Sequence, residues 1–151
     1  MKRILILNGP NINLTGIREP EIYGTKTYAE LMEDIRDFGK SRGCSLTFLQ
    51  SNSEGSLIDA IQMAWKENMD GIVFNPGGYA HTSVALRDAI SSVPLPTVEV
   101  HMTNIDNRES FRRTSLTAGA CLGTIAGFGF RSYLLAIEAL LGQSSQTNAG
   151  L

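Results

Sequence analysis

The sequence predicts an α/β domain built on a parallel sheet, and three observations carry that reading. Short β-branched runs alternate with helical periods along the whole chain. The first run, Arg3 to Asn8 (RILILN), is nearly continuous in apolar residues, as a strand covered by helices on both faces requires. The alternation repeats five times, which favours an open doubly wound sheet over a barrel of about eight units. The simplest arrangement is flavodoxin-like: three layers, with a five-stranded parallel sheet in the order 2-1-3-4-5 between helices.

After the first strand, a helix begins at about Thr27. Thr27-Tyr28-Ala29-Glu30 fits a capping box, and Tyr28, Leu31, Met32, Ile35 and Phe38 recur at helical spacing before Gly43. The second strand is Ser45 to Gln50, and its helix starts near Ser56 with Leu57, Ile58, Ile61, Ala64 and Trp65 as the apolar stripe. The third strand is Gly71 to Asn75; the next helix begins near Thr82 or Ser83, carries Val84, Ala85, Ala89 and Ile90, and stops before Pro94. The fourth strand is Thr97 to His101 and the fifth about Cys121 to Ala126, followed by a helix from about Ser132 to Leu141. The polar stretch 143–151 reads as a frayed tail, leaving 1–142 as a single domain.

Composition narrows the function classes. A net charge of −2, a pI of about 5.7 and the lack of a Lys/Arg run argue against nucleic acid or an anionic membrane as partner. Only four apolar residues follow Met1-Lys2-Arg3, too few for a secretory signal, and no apolar stretch is long enough to span a bilayer. Cys44 and Cys121 lack CxxC or Cys/His ligand spacing, so a reduced, cytoplasmic setting is expected. Neither GxGxxG in a strand–turn–helix context nor GxxxxGK[ST] occurs, so nothing supports a dinucleotide or nucleoside-triphosphate site.

In the 2-1-3-4-5 order, strands one, three and four are neighbours, and ligands bind beyond their carboxyl ends. Those ends run into Asn8-Gly9-Pro10-Asn11, Asn75-Pro76-Gly77-Gly78-Tyr79-Ala80-His81 and His101-Met102-Thr103-Asn104. An Asn after a strand also serves as a plain turn or cap residue. The placing of both histidines of the chain in one cleft is what points to chemistry. Glycine is enriched, 15 of 151 residues, or about 10% against about 7% on average. Gly9, Gly16, Gly24, Gly77 and Gly78 read as bringing backbone to a ligand; Gly119, Gly123, Gly127 and Gly129 read as close packing of strand on helix or subunit on subunit.

The connection from Asn8 to Thr27 runs about 18 residues against the usual 2–6, a length typical of lids. It holds Arg18 and Tyr23. A phenol has a pKa of about 10, and a close guanidinium favours the phenolate, so the pair suits general-base work; Tyr23 could equally pack the loop down. Arg108, Arg112 and Arg113 after the fourth strand suit capture of a small anion, or form a solvated basic turn.

The strings Leu7-Asn8-Gly9-Pro10-Asn11-Ile12-Asn13, Arg18-Glu19-Pro20 with Tyr23-Gly24, Asn75 through Ala89, Glu99-Val100-His101 and Phe111-Arg112 closely resemble type II 3-dehydroquinate dehydratase. The resemblance covers about residues 4 to 140 in order. It implies reversible anti elimination of water from 3-dehydroquinate to 3-dehydroshikimate through an enolate, with no metal or organic cofactor. It further implies that Tyr23 is the base, assisted by Arg18, that His101 is the acid, oriented by Glu99, and that Asn11 steadies the enolate oxygen. Asn75, Gly77, Gly78, His81, Arg112 and the Met102-Thr103 amides correspond to substrate contacts. Asp88 corresponds to a site residue often contributed by the neighbouring subunit, and the implied assembly is a dodecamer of four trimers. Thr15, Arg113 and Arg131-Ser132 depart from the family pattern, all away from the catalytic trio.

Other readings stay open at this level. A metal-dependent hydrolase could use His81, His101 and Asp88, although no i, i+4 His pair or carboxylate cluster is present. A flavin-carrying electron-transfer domain shares the fold, and fold alone does not settle function. A catalytically dead assembly subunit is the third alternative.

Overall fold

The computed structural model describes residues 1–17, 19–23 and 25–143, with the backbone alone described at Ile22 and Tyr23. Five parallel strands, β1 (Lys2–Asn8), β2 (Cys44–Gln50), β3 (Gly71–Asn75), β4 (Thr97–His101) and β5 (Gly123–Ala126), form one sheet in the order β2-β1-β3-β4-β5. The helices are a short α1 (Pro20–Tyr23), then α2 (Tyr28–Ser41), α3 (Glu54–Lys66), α4 (Val84–Ser92) and α5 (Arg131–Leu141). The predicted fold class and strand order are those of the molecule.

Side chains alternate across a strand, and β1 shows why its sequence is apolar throughout. Ile4 and Ile6 join a core with Leu31, Met32 and Ile35 of α2 and Ala136, Ile137 and Leu140 of α5. Leu5 and Leu7 join the opposite core with Leu57, Ile61 and Ala64 of α3 and Leu86, Ala89 and Ile90 of α4. Three of the helices open on a hydroxyl cap: Thr27, Ser53 and Ser83 accept from the backbone N–H groups of Glu30, Ser56 and Leu86.

Several boundaries and faces differ from expectation. Helix α3 starts at Glu54 rather than Ser56, because Ser53 is the cap, and β5 starts at Gly123 rather than Cys121. Trp65, expected in the α3 stripe, is 48% exposed, and Val84, expected in the α4 stripe, is 58% exposed. Ala85 is exposed as well. The strand-on-helix reading of the late glycines also fails. A Cβ at Gly123 or Gly129 would meet open space within the chain, and one at Gly119 would meet the Arg87 guanidinium. The frayed-tail expectation falls, from residue 144 onward, outside the described residues.

Candidate active site

Thr97, Glu99 and His101 alternate with Val98 and Val100 along β4. The valines face the α2/α5 core, so Glu99 and His101 project together from the other face of the sheet. Glu99 is fully buried. Its carboxylate accepts from His101 Nε2 at 2.9 Å, from Ser115 Oγ at 2.8 Å and from Thr117 Oγ1. Burial pushes the Glu99 carboxyl up, but the hydrogen bonds from His101 and Thr117, the His101 charge and the Ser115 hydroxyl outweigh it and hold the group below the usual carboxylate range. An ionised Glu99 can only accept, so His101 Nε2 carries a proton and donates it into that bond. The other ring nitrogen, Nδ1, has no protein hydrogen bond among the described residues and is left for a ligand.

His81 stacks beside His101, with ring centroids 6.2 Å apart and planes inclined by 24°. Its Nδ1 lies 2.8 Å from the Thr114 carbonyl. Since a carbonyl only accepts, Nδ1 is the donor there, and Nε2 is the lone-pair nitrogen of the neutral ring. The segment carrying Thr114, Ser115 and Thr117 is tied down by Leu116, whose N–H donates to Ala80 O at 2.7 Å and whose carbonyl accepts from Arg87 Nη1 at 2.7 Å. That pinning delivers the Ser115 and Thr117 hydroxyls to Glu99.

The loops after β1 and β3 press on each other. Gly9 N–H donates to Asn75 O at 2.8 Å, and a Cβ on Gly9 would lie 2.5 Å from Pro76 O. Gly77 has φ +60°, and its Cβ would lie 3.1 Å from Pro10 O. Gly9 therefore serves contact between two loops and not, as expected, close approach to a ligand. A Cβ on Gly16 would likewise meet Lys26 O at 2.5 Å. Asn11, in a left-handed conformation with φ 69°, is held by its N–H on Asn52 Oδ1 at 3.1 Å.

Around these groups lies a cleft of about 130 Å³ lined by Asn11, Asn75, Gly77, Gly78, His81, His101, Met102, Thr103 and Arg112, all predicted from the sequence. Glu99 stands behind His101. Asp88 does not line it; it lies on the exposed face of α4, so this chain does not by itself bring Asp88 to the cleft or beside the two histidines. The metal-ligand set of the hydrolase alternative is accordingly not assembled by the described residues. Arg18, Gly24 and the Tyr23 side chain lie outside the described residues.

The cleft also has two walls that the sequence reading did not single out, Ile12 and Ile105, and it takes in Pro10 of the first strand end and Arg108 of the predicted basic turn. Arg108 Nη1 reaches Thr103 Oγ1 at 3.4 Å. Arg112 pairs with Glu109 through Nε and sits 5.0 Å over the Phe111 ring; Arg113 is not part of the cleft. Ser115 and Thr117 were missed as partners of Glu99. Nothing in their local pattern marks them, because the contact is made across 16 and 18 residues. No helix among the described residues is long and apolar enough to cross a membrane.

Residues 2–141 match the family model described as Dehydroquinase class II. The chain is 50% identical over 138 residues to a 3-dehydroquinate dehydratase of Clostridium beijerinckii, covering 91% of this chain and 94% of that one. It is 53% identical over 139 residues to the enzyme so named in Carboxydothermus hydrogenoformans, covering 92% and 90%. Among solved structures, the type II dehydroquinase from Butyrivibrio crossotus superposes with a TM-score of 0.92 at 45% identity, over 93% of this chain and 97% of that one. With both fold and sequence matched from β1 to the end of α5, the chain belongs to the class II dehydroquinase family.

Proposed function

We propose that the protein is a 3-dehydroquinate dehydratase, eliminating water from 3-dehydroquinate to give 3-dehydroshikimate. The observation that carries this reading, within a family whose relatives bear that name, is His101 held by an ionised Glu99 on the wall of a cleft that Asn11 and Arg112 also line. Elimination next to a ketone needs a base, an acid and stabilisation of an oxyanion. Tyr23, as phenolate beside Arg18, takes the proton alpha to the ketone. The electron pair moves onto the carbonyl oxygen, giving an enolate that Asn11 steadies. The enolate then re-forms the ketone as the carbon–oxygen bond breaks on the opposite face, and His101 gives its proton to the departing hydroxyl, which leaves as water. Glu99 orients the imidazole and balances its positive charge before transfer.

Asn75, His81, Arg112, Gly77, Gly78 and the Met102-Thr103 backbone hold the substrate, with Arg112 at its hydroxyls and the Met102-Thr103 amides at its carboxylate. Neither metal nor organic cofactor takes part. Residues 1–142 act as one catalytic domain in the cytoplasm, in the shikimate pathway or in quinate breakdown. Asp88, exposed on α4, fits a role in a neighbouring subunit's cleft, and the assembly is a dodecamer of four trimers.

The test is to supply 3-dehydroquinate with a chelator present and follow the conjugated enone of the product by near-ultraviolet absorbance. The wild type should turn over and Tyr23→Phe should lose turnover while keeping ligand affinity. Absence of product at high enzyme concentration would overturn the assignment, and full activity of Tyr23→Phe would remove the base from its role.

A further inference from the structure

The reaction leaves one polar group in the deepest part of the molecule unexplained. Tyr133, on α5, is fully buried in the apolar core, where a Phe would pack without the cost of desolvating a hydroxyl. Its hydroxyl lies between two amides from neighbouring strand ends. It donates to Asn8 Oδ1 at 2.6 Å and accepts from Asn75 Nδ2 at 2.8 Å. Asn8 and Asn75 are register partners in the β1–β3 pair, so one phenol on the helix layer can reach both.

The direction of this chain is set at its two ends by groups that can play only one part. At the far end, Asn8 Nδ2 points to Met32 Sδ at 3.5 Å, a thioether that can only accept, and to Tyr28 Oη at 3.3 Å. At the near end, Asn75 Oδ1 accepts from the Gly77 N–H at 3.2 Å, a group that can only donate. Reversing the order would set an amide N–H₂ against the Gly77 N–H and an amide oxygen against the Met32 sulfur. Asn75 Nδ2 carries two protons, and Tyr133 takes one. The second has no protein acceptor among the described residues, and Asn75 lines the cleft.

We propose that Tyr133 is a positioning residue for substrate binding: with Asn8 and Met32 behind it, it fixes the Asn75 amide so that the cleft meets an N–H donor, matched to an acceptor oxygen of the anionic substrate. The inference rests on the dehydratase reading above and adds to it a residue outside the cleft that sets the polarity of one contact. Without the Tyr133 oxygen the Asn75 amide keeps only the Gly77 N–H on its oxygen, so its nitrogen is held less firmly and meets the substrate as a poorer donor.

Steady-state kinetics on Tyr133→Phe, Asn75→Ala and the double variant test this. Tyr133→Phe should raise KM for 3-dehydroquinate by up to about tenfold, as for one hydrogen bond, with kcat within about threefold. In the Asn75→Ala background the same change should have no further effect on KM, because the phenol acts through that amide. A loss of packing alone would lower the melting temperature but would act equally in both backgrounds. Should Tyr133→Phe not fold, Met32→Leu, which roughly conserves volume, loosens the far anchor and should raise KM by a smaller factor with the same dependence on Asn75. Unchanged KM, or an equal effect with and without Asn75, would overturn the proposal. A wild type without turnover would instead remove the dehydratase reading. The orientation is then decided by side-chain ¹H–¹⁵N spectra of the free protein. Asn75 amide protons with Overhauser contacts to the Tyr133 ring uphold the relay, and amide protons directed at Gly77 refute it.

Discussion

Glu99 is the residue at which the electrostatics of this cleft are set. A carboxylate taken fully out of water is costly unless donors replace the solvent, and here His101, Ser115 and Thr117 do so. The folded-state pKa is lowered, so this group contributes stability that is present above the unfolded carboxylate value of about 4.3 and lost as pH falls through the folded value. Thr117→Val keeps the shape and removes one donor from the charged form. It should cost about 1–3 kcal/mol near pH 7, and the difference from wild type should shrink as Glu99 protonates, as read by urea unfolding across pH 3–7. A pH-independent difference would show that Thr117 contributes packing alone. The residue scale also explains what was legible. His81 and His101 were visible because strand ends are local, whereas Glu99 came only through the resemblance of the Glu99-Val100-His101 string. Ser115, Thr117 and the Asn75–Tyr133 contact, made across 58 residues, leave no local pattern.

At the scale of elements, the errors have a geometric cause. A helix advances about 100° per residue, and α3 buries Leu57, Ala60, Ile61 and Ala64. Trp65 lies about a quarter turn from the middle of that stripe. In α4 the stripe is Leu86, Ala89 and Ile90, which puts Val84 on nearly the opposite side. Apolar character alone therefore widened both stripes, whereas spacing from the most buried residue would have narrowed them. The loops after β1 and β3 give the sharper prediction. Gly9→Ala places a methyl 2.5 Å from Pro76 O, with backbone on both sides and little freedom to yield. It should destabilise by about 1–3 kcal/mol, as overpacking does, and because Pro10 and Gly77 line the cleft it should also raise KM. Thermal unfolding and kinetics check both; an unchanged melting temperature would mean that the loops separate readily.

For the whole molecule, the open question of partners belongs to surfaces. The β5 edge is only partly covered within the chain, and Leu122 and Phe128 beside it are 43% and 62% exposed; an uncovered edge with apolar neighbours suits another copy of the chain. Sedimentation should give a particle near twelve times the 16.4 kDa subunit, and a monomer at micromolar concentration would contradict the proposed dodecamer. By itself the sequence determined the succession of strands and helices, the two-sided burial of β1, and the three strand ends where polar residues collect. Those are consequences of periodicity, which is written into short stretches of chain. Only the tertiary structure decided which donors surround Glu99, that Gly9 serves loop against loop, that Asp88 stands outside its own chain's cleft, and that a phenol on α5 meets an amide on β3. Each depends on how distant segments pack, and packing joins groups that no spacing along the chain relates.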